Sequence, residues 1–335
     1  MKNNNSELLF RTYLLPIIIT LFLTNLSFIG FGQQRAQYTQ YIMNNYLLNP
    51  ASGGLNNYWD VKAGFRSQWT GLEGAPTTMF ASANGPIKYP NKRVRNSQLK
   101  PHQGIGGYAF HDNTGPLAMT GLYGSYSYHL KLSNKFTASA GAFLGIMQYS
   151  LNGNDLTFVQ NPNDPIIGKN VVNKILPDAS IGIWIFSDQL FFGLSANQIF
   201  RNQLQFQGTG ATNSQLNYHY FMTTGYKFKI SQQLDFIPST MLKYVQSAPL
   251  QFDINARIKY NNRMWAGISY RHQDAIAAIV GIIINNQFEI GYSYDLTTSK
   301  LRSASYGSQE IIVGMMMSKG TKKGGKVLCP MDYWN

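Results

Sequence analysis

Residues 58–85 read YWDVKAGFRSQWTGLEGAPTTMFASANG, and this stretch decides the fold class. Two segments of alternating character, Tyr58–Trp69 and Thr77–Gly85, flank a short connection that contains glycine and proline, Gly71–Pro76. Successive side chains of a β-strand point to opposite faces, so alternation predicts strands, and Gly and Pro between them predict a tight turn. The stretch therefore predicts a β-hairpin.

The same alternation recurs as far as Met317. In Phe288–Tyr294 the Phe, Ile and Tyr side chains share one face, whereas Glu289, Gly291 and Ser293 share the other. This period of two predicts fourteen antiparallel strands, an even number, as single-chain bacterial outer-membrane barrels have. The predicted strands are Tyr58–Trp69, Thr77–Gly85, Gln103–Asp112, Ala118–Leu130, Lys135–Tyr149, Pro177–Phe186, Leu190–Ala196, Tyr218–Ile230, Leu234–Val245, Gln251–Tyr260, Met264–Arg271, Ala275–Ile284, Gln287–Tyr294 and Gln309–Met317.

The lengths of the connections support a barrel. If Tyr58 starts on the periplasmic side, most connections on that side are short, and the long connections Ser150–Leu176, Asn197–Asn217 and Asp295–Ser308 lie opposite. Short periplasmic turns and longer extracellular loops are typical of outer-membrane barrels. The exception is Pro86–His102, which is long, carries five positive charges and no acid, and is expected on the periplasmic side. The predicted fold class is an all-β transmembrane antiparallel β-barrel of about 14 strands.

The alternative fold is a soluble β-sandwich or propeller. Mean hydropathy, −0.20, does not discriminate, because only every second residue of a transmembrane barrel faces lipid. Aromatic residues gather near many predicted strand ends, where a membrane barrel has its interfacial girdles. The sequence has no repeat of 40–50 residues, which a propeller requires. These features favour the membrane barrel.

The two ends of the chain predict export and a tail. Lys2 and Arg11 precede an apolar run that closes on Gly30-Phe31-Gly32, so residues 1–32 read as a signal peptide. Residues 33–57 are then an N-terminal periplasmic or lumen-facing segment, residues 58–317 the barrel, and residues 318–335 a basic periplasmic tail with an aromatic end. The single cysteine, Cys329, excludes an intrachain disulfide.

The chain is basic, with a formal net charge of +13. A basic excess suits nucleic acid, an anionic lipid surface or an acidic partner. Export argues against nucleic acid and favours lipopolysaccharide or a partner protein. The sequence predicts no enzyme, cofactor or metal site, because the five histidines lack metal-ligand spacing and the nucleophile motif Gly-x-Ser-x-Gly is absent.

Four elements, Gln40-Tyr41, Asn49-Pro50-Ala51, Arg66-Ser67-Gln68-Trp69 and Gly74-Ala75-Pro76, occur together and in order. In these elements the chain resembles the PorP/SprF family of outer-membrane proteins, which are associated with type IX secretion and gliding motility in Bacteroidetes. The resemblance implies a non-enzymatic barrel that supports surface delivery or attachment of secreted cargo, such as an adhesin, and contacts the periplasmic ring or peptidoglycan-linked proteins. The family-motif residues are Asn49, Pro50, Arg66, Gln68, Trp69, Gly74 and Pro76.

The tail admits two interpretations, a solvated basic linker with an apolar end or a peptide that docks on a periplasmic partner. The tail ends in Cys-Pro followed by aromatic residues, and the family resemblance also implies an ending of this kind. The candidate partner-binding residues are Lys322, Lys323, Lys326, Cys329, Pro330, Tyr333 and Trp334.

A second function remains open from the sequence, an outer-membrane channel for a small hydrophobic or ionic solute. Fourteen strands can enclose a lumen, and such a channel requires that lumen to be open or gated. Bulky residues expected to point inward, Tyr123, Arg257 and Trp265, favour a filled lumen instead. Conductance in a planar bilayer discriminates between the two functions.

Overall fold

A computed structural model describes residues 36–56, 58–87, 101–153, 171–204, 214–246 and 248–317. All of these except Ala248 and Pro249 belong to one compact unit, which contains every strand of the described ranges. The predicted signal peptide, the basic connection after Ile87 and the tail after Met317 lie outside the described residues.

The unit is a closed antiparallel β-barrel. The first strand pairs with the last, and the remaining barrel strands pair in chain order around the wall. The strands are β1 (Trp59–Ser67), β2 (Thr77–Ile87), β3 (His102–Thr114), β4 (Leu117–Lys131), β5 (Thr137–Asn152), β6 (Val171–Phe186), β7 (Leu190–Asn197), β8 (Gln203–Leu204), β9 (Ser214–Gln215), β10 (His219–Tyr226), β11 (Phe228–Lys229), β12 (Leu234–Val245), β13 (Gln251–Tyr260), β14 (Met264–Arg271), β15 (Ala275–Ile284), β16 (Phe288–Thr297) and β17 (Ser308–Met317).

Fourteen strands build the wall, because β10 and β11 form one strand interrupted at Lys227, and the two-residue strands β8 and β9 pair only with each other. The predicted fourteen-stranded barrel is confirmed. Helix in the described part of the chain consists of single 3-10 turns, at Asn45–Leu47, Pro50–Ser52 and Lys300–Ser303. No helix found there has both the length and the apolar character to cross a membrane.

Burial alternates along the strands in the sense opposite to that of a soluble sheet. In β13, Ile254 and Ile258 are about half exposed on the outside, whereas Asn255, Arg257 and Lys259 are buried on the inside. Large apolar side chains exposed all round a sheet would be an aggregation hazard in water, but they match the hydrocarbon of a bilayer. The outer wall is therefore a lipid-facing surface, and the polar residues line the lumen.

The two ends of the barrel differ. One end, which we call the turn end, carries most of the short connections, including Asn261–Arg263 and Asn285–Gln287. The asparagines at 261, 262, 285 and 286 all have positive φ, which the primed two-residue hairpin turns require and asparagine tolerates. The opposite end, which we call the loop end, carries longer connections such as the one between β16 and β17. The exposed tyrosines Tyr220, Tyr244 and Tyr270 lie near this end. Aromatic residues near the end of a transmembrane barrel suit the interface between membrane and water.

Most strand boundaries differ from the sequence prediction by a few residues, and three of the differences change the description of the wall or the site. β16 continues to Thr297, so Asp295 lies in the wall and not in the following loop. β6 begins at Val171, because its ladder with β5 runs the full length of that long partner. β1 ends at Ser67, and Trp69 has left the strand with a φ of 48°.

Candidate functional site in the barrel lumen

Residues 36–56, which we call the plug, occupy the barrel lumen. From Thr39 to Asn56 every residue is buried, and the plug contacts strands on several sides of the wall. Asn255 of β13 donates a 2.6 Å hydrogen bond to the Tyr41 hydroxyl, while the Tyr46 hydroxyl lies 2.5 Å from Ser125 Oγ of β4. The plug therefore bridges the lumen between β4 and β13, which lie on opposite sides of the wall.

The first part of the plug is held near the loop end by two carboxylates. Glu310 accepts hydrogen bonds from the backbone N–H groups of Thr39 and Gln40, at 2.8 and 3.0 Å. The Thr39 hydroxyl donates to Asp295 at 2.6 Å. Hydrogen bonds to ionised acceptors are shorter and about twice as strong as neutral ones, so these contacts fix the plug backbone to β16 and β17.

Arg66 completes this anchor from β1. Its guanidinium pairs with Asp295 at 2.9 Å and with Glu310 at 3.1 Å, and it donates to the Thr39 hydroxyl at 2.6 Å. Arg271 of β14 lies 3.6 Å from Asp295 and also donates to Thr39. These groups are almost fully buried, and buried charges require partners of this kind. We call the group formed by Thr39, Arg66, Arg271, Asp295 and Glu310 the loop-end anchor.

The middle of the plug is held by Asn49. Its side-chain oxygen accepts from the Ala51 N–H, and its side-chain nitrogen donates to the backbone oxygens of Ile183 and Leu194, all at 3.0 Å. Pro50 then opens the 3-10 turn Pro50–Ser52, where its fixed φ suits the first helical position. One amide thus joins the plug turn to two adjacent wall strands, β6 and β7.

Glycines in the wall let this turn come close. A Cβ on Gly182 would overlap Asn49 Oδ1, and a Cβ on Gly141 would lie 2.6 Å from the Pro50 backbone oxygen. Real Cβ atoms do not approach other atoms so closely, and glycine inside a strand often marks such a close approach. The two inward-facing glycines are therefore part of the seat of the plug.

The plug leaves the lumen near the turn end, at Gly53 and Gly54. Ser127 donates to the Gly53 oxygen at 2.6 Å, and the Nε2 atoms of His129 and His102 lie 2.9 and 3.2 Å from the Gly53 and Gly54 oxygens. Since a carbonyl oxygen only accepts, both Nε2 atoms donate. The two imidazole rings stack 4.2 Å apart. The plug thus runs from the loop-end anchor to the turn end.

Aromatic side chains fill the lumen beside the plug. Tyr46 packs edge-on against Phe143 at 5.1 Å, and Tyr108 stacks on Tyr123 at 4.7 Å. Burial raises the pKa of the Tyr46 hydroxyl above its ordinary value, so this group stays protonated and keeps its hydrogen bond to Ser125. Buried residues of the plug and the wall form two hydrophobic clusters, and these aromatic side chains belong to one of them.

The sequence matches one known family. The matching family is described as type IX secretion system membrane protein PorP/SprF, and the match covers residues 30–315. This chain belongs to the PorP/SprF family. Among curated proteins, none matches it. The fold and the family together indicate the outer membrane as the location of this PorP/SprF protein.

Solved barrels resemble this PorP/SprF protein at low identity. The toluene transporter TbuX of Ralstonia pickettii is 11% identical with a TM-score of 0.49, over 84% of this chain and 93% of that chain. The CymD monoaromatic hydrocarbon channel is 12% identical with a TM-score of 0.46, over 88% and 96%. A FadL homologue of Pseudomonas aeruginosa is 8% identical with a TM-score of 0.45, over 85% and 94%.

The family-motif residues fall into two groups in the structure. Asn49, Pro50 and Arg66 lie in the lumen, at the plug and its anchor. The others shape the loop between β1 and β2. Gln68 N–H donates to the Pro76 oxygen, Trp69 N–H donates to Ser308 Oγ, and Gly74 has a φ of 71°. The candidate residues of the tail lie outside the described residues.

The sequence does not single out Thr39, Asp295 or Glu310. For Glu310 the only signal is an acid at an inward position of an alternating strand, Gln309-Glu310-Ile311, whereas the predicted strand boundaries place Asp295 in a loop and Thr39 has no signal. Within the described ranges, no group of three histidine, cysteine or acidic side chains is placed to hold a metal ion. The contacts that join plug and wall at this site are hydrogen bonds and ion pairs.

Proposed function

We propose that this PorP/SprF protein is a non-enzymatic component of the type IX secretion and gliding machinery that supports surface delivery or attachment of secreted cargo, such as an adhesin. The observation that carries the proposal is the plug. The lumen is crossed by a segment that is tied to the wall through charged, amide and carbonyl groups. The loops, turns and termini are then the surfaces available for binding. Such surfaces suit binding to other proteins.

Charge suggests where the partners meet the barrel. The long connections at the loop end are available to secreted cargo, whereas the basic connection after Ile87 and the basic tail carry an excess of lysine and arginine. Positive segments attract acidic protein surfaces and anionic lipid headgroups. We therefore assign periplasmic ring or peptidoglycan-linked proteins to the turn end, and lipopolysaccharide to the outer wall. No role with nucleic acid is proposed.

The alternative function, a channel for a small hydrophobic or ionic solute, needs the plug to move. Moving it would break the contacts of Glu310 with two backbone N–H groups and would leave buried acids without their partners. An uncompensated buried charge is costly. No contact within the described ranges favours that function over the first.

The proposal is tested by deleting the gene and restoring it in the native cell. We expect the deletion to remove a type IX cargo from the cell surface and the restored gene to bring it back, while the purified protein conducts no ions in a planar bilayer. Native membranes should yield a complex that contains periplasmic machinery or cargo. Normal surface cargo in the deletion strain, together with ion or solute conductance, would reverse the assignment in favour of a channel.

A second test concerns the tail. Deleting residues 319–335 should leave a heat-modifiable barrel in the outer membrane but abolish copurification of a periplasmic partner, because the tail sequence joins four lysines, which attract an acidic surface, to an aromatic end. The matched control replaces the same residues with a Gly/Ser linker of equal length. If the truncated protein retains all copurifying partners and still supports surface cargo, the tail is only a solvated end.

A further inference from the structure

The lipid-facing wall carries a concavity of about 650 Å³ on the side formed by β5, β6, β7, β10 and β12. Its outward-facing walls are aliphatic and aromatic, and the residues that matter for its shape are Ile181, Ile183, Leu194, Tyr220, Tyr244 and Leu250. The lining exposes almost no polar surface. An occupant of this space therefore has to be apolar along its length.

The depression has a cause in the sequence. One cross-strand row places Ala196 between Ile181 and Tyr220, and Tyr220 is followed by Tyr244, so a single methyl group stands between large neighbours. Ala140 of β5, which pairs with Ile183, is a second small side chain beside a large one. Directly opposed side chains on one sheet face pack together, and a small residue among large ones leaves a hollow.

The size and position suit a hydrocarbon chain. The volume is that of about twenty water molecules, but apolar cavities stay dry, so water is not the occupant. The hollow opens on the outer face of the wall, and the Tyr220 and Tyr244 rings stack at 6.1 Å on the side nearer the loop end. A flexible acyl chain follows such a surface without placing a polar group in it.

The back of the concavity is the seat of the plug. Gly141 and Gly182, which contribute to its floor, are the glycines that receive Pro50 and Asn49 from the lumen side. The Asn49 amide donates to the backbone oxygens of Ile183 and Leu194, whose side chains line the concavity. The wall here is one strand layer thick, so its outer hollow and its inner plug turn share the same backbone.

We propose that this concavity is a specific site for the acyl chain of a membrane lipid, and that its occupancy holds the Asn49 turn of the plug in its seat. The inference goes beyond the proposed role in secretion and does not depend on it. A bound chain packs against Ile183 and Leu194, and this limits the motion of the backbone oxygens that Asn49 binds.

The probe is phosphatidylethanolamine with a photoactivatable diazirine in one acyl chain, diluted into phosphatidylethanolamine nanodiscs that contain the full mature chain. We expect cross-links per outward residue to be about tenfold denser on β6, β7 and β10 than on β14 and β15. Ala196→Trp fills the hollow and should remove this excess. Ala278→Trp, an outward alanine on β15, is the matched control and should leave it unchanged.

Other outcomes overturn the site. Equal labelling around the barrel would mean ordinary surrounding lipid, and cross-links between two barrels through β6 to β10 would mean a second copy as the occupant. If Ala196→Trp does not assemble, Ala140→Leu fills the same hollow from β5. For the link to the plug, amide hydrogen exchange of residues 48, 49, 51 and 52 should slow about threefold on transfer of the wild type from lipid-free detergent to nanodiscs. Unchanged exchange would refute that link.

Discussion

Replacing Arg66 with methionine is expected to lower the free energy of unfolding by about 3–5 kcal/mol, the usual cost of removing one partner from a buried ion pair. Methionine keeps an unbranched, flexible side chain, although a shorter one, and removes the charge. Asp295 and Glu310, both about 1% exposed, then lose ion pairs of 2.9 and 3.1 Å, and Thr39 loses a hydrogen-bond donor. Arg271, 3.6 Å from Asp295, compensates only part of the loss.

The measurement is urea unfolding of the purified barrel, with the loss of heat-modifiable mobility as a second readout. Arg263→Met makes the same change at an exposed turn and should stay within about 0.5 kcal/mol of wild type. Arg66→Met combined with Glu310→Gln removes a positive and a negative charge together and should recover part of the loss. If Arg66→Met alone matches the Arg263→Met control, the loop-end anchor does not stabilise the protein.

The fold class could be predicted from sequence because its signal is local. A strand such as β13 shows its two faces within ten residues, Ile254 and Ile258 on one side and Asn255 and Arg257 on the other. Turn chemistry is local as well, as the paired asparagines at 261 and 262 illustrate. Neither signal needs knowledge of which strands are neighbours, and together they give the strand number and the closed barrel.

The loop-end anchor could not be predicted in the same way. Its members come from β1, β14, β16, β17 and the plug, and they meet only because β1 pairs with β17 to close the barrel. The sequence places Arg66 on an inward face but does not identify Asp295 and Glu310, more than 200 residues later, as its partners. Ion pairing across a closure seam is a long-range property.

The plug is equally hard to place from sequence. Residues 33–57 have no period of two, and proline and glycine punctuation there is compatible with a periplasmic segment or with one folded into the lumen. The lumen location of residues 36–56 results from side-chain contacts with opposite sides of the barrel, for example Asn49 with Ile183 of β6 and Tyr41 with Asn255 of β13. None of these pairs is close in sequence.

The strongest test of the plug is Gly182→Val, which should unseat it and let the barrel conduct ions. A valine Cβ overlaps Asn49 Oδ1, so the amide has to leave its position. Asn49 then loses hydrogen bonds to Ile183, Leu194 and Ala51. At about 1 kcal/mol for each hydrogen bond, the plug turn loses on the order of 3 kcal/mol of its stabilisation, enough to change a seated plug into a mobile one.

Single-channel current in a planar bilayer measures the opening. Gly124→Val is the matched control, because it makes the same change in a wall strand where an added Cβ meets no atom within 4 Å. We expect steps of current from Gly182→Val and none from the wild type or the control. A chain with Cys329→Ser has no other cysteine, so Ala51→Cys then reports directly on the plug through its rate of reaction with a water-soluble maleimide.

The channel current and the maleimide reaction rate together distinguish movement of the plug from unfolding of the barrel. Ala51 is fully buried in the wild type, so its cysteine should react slowly there and at least tenfold faster in Gly182→Val, while the protein still migrates as a heat-modifiable barrel. A folded Gly182→Val barrel that conducts no current and keeps Ala51→Cys protected would show that the Asn49 turn is not what holds the plug.

Asn49→Ala removes the same hydrogen bonds without adding a side chain to the wall. In that case it should also have no effect on the current. Current from Asn49→Ala but not from Gly182→Val would instead mean that the wall yields to the valine while the amide alone secures the plug.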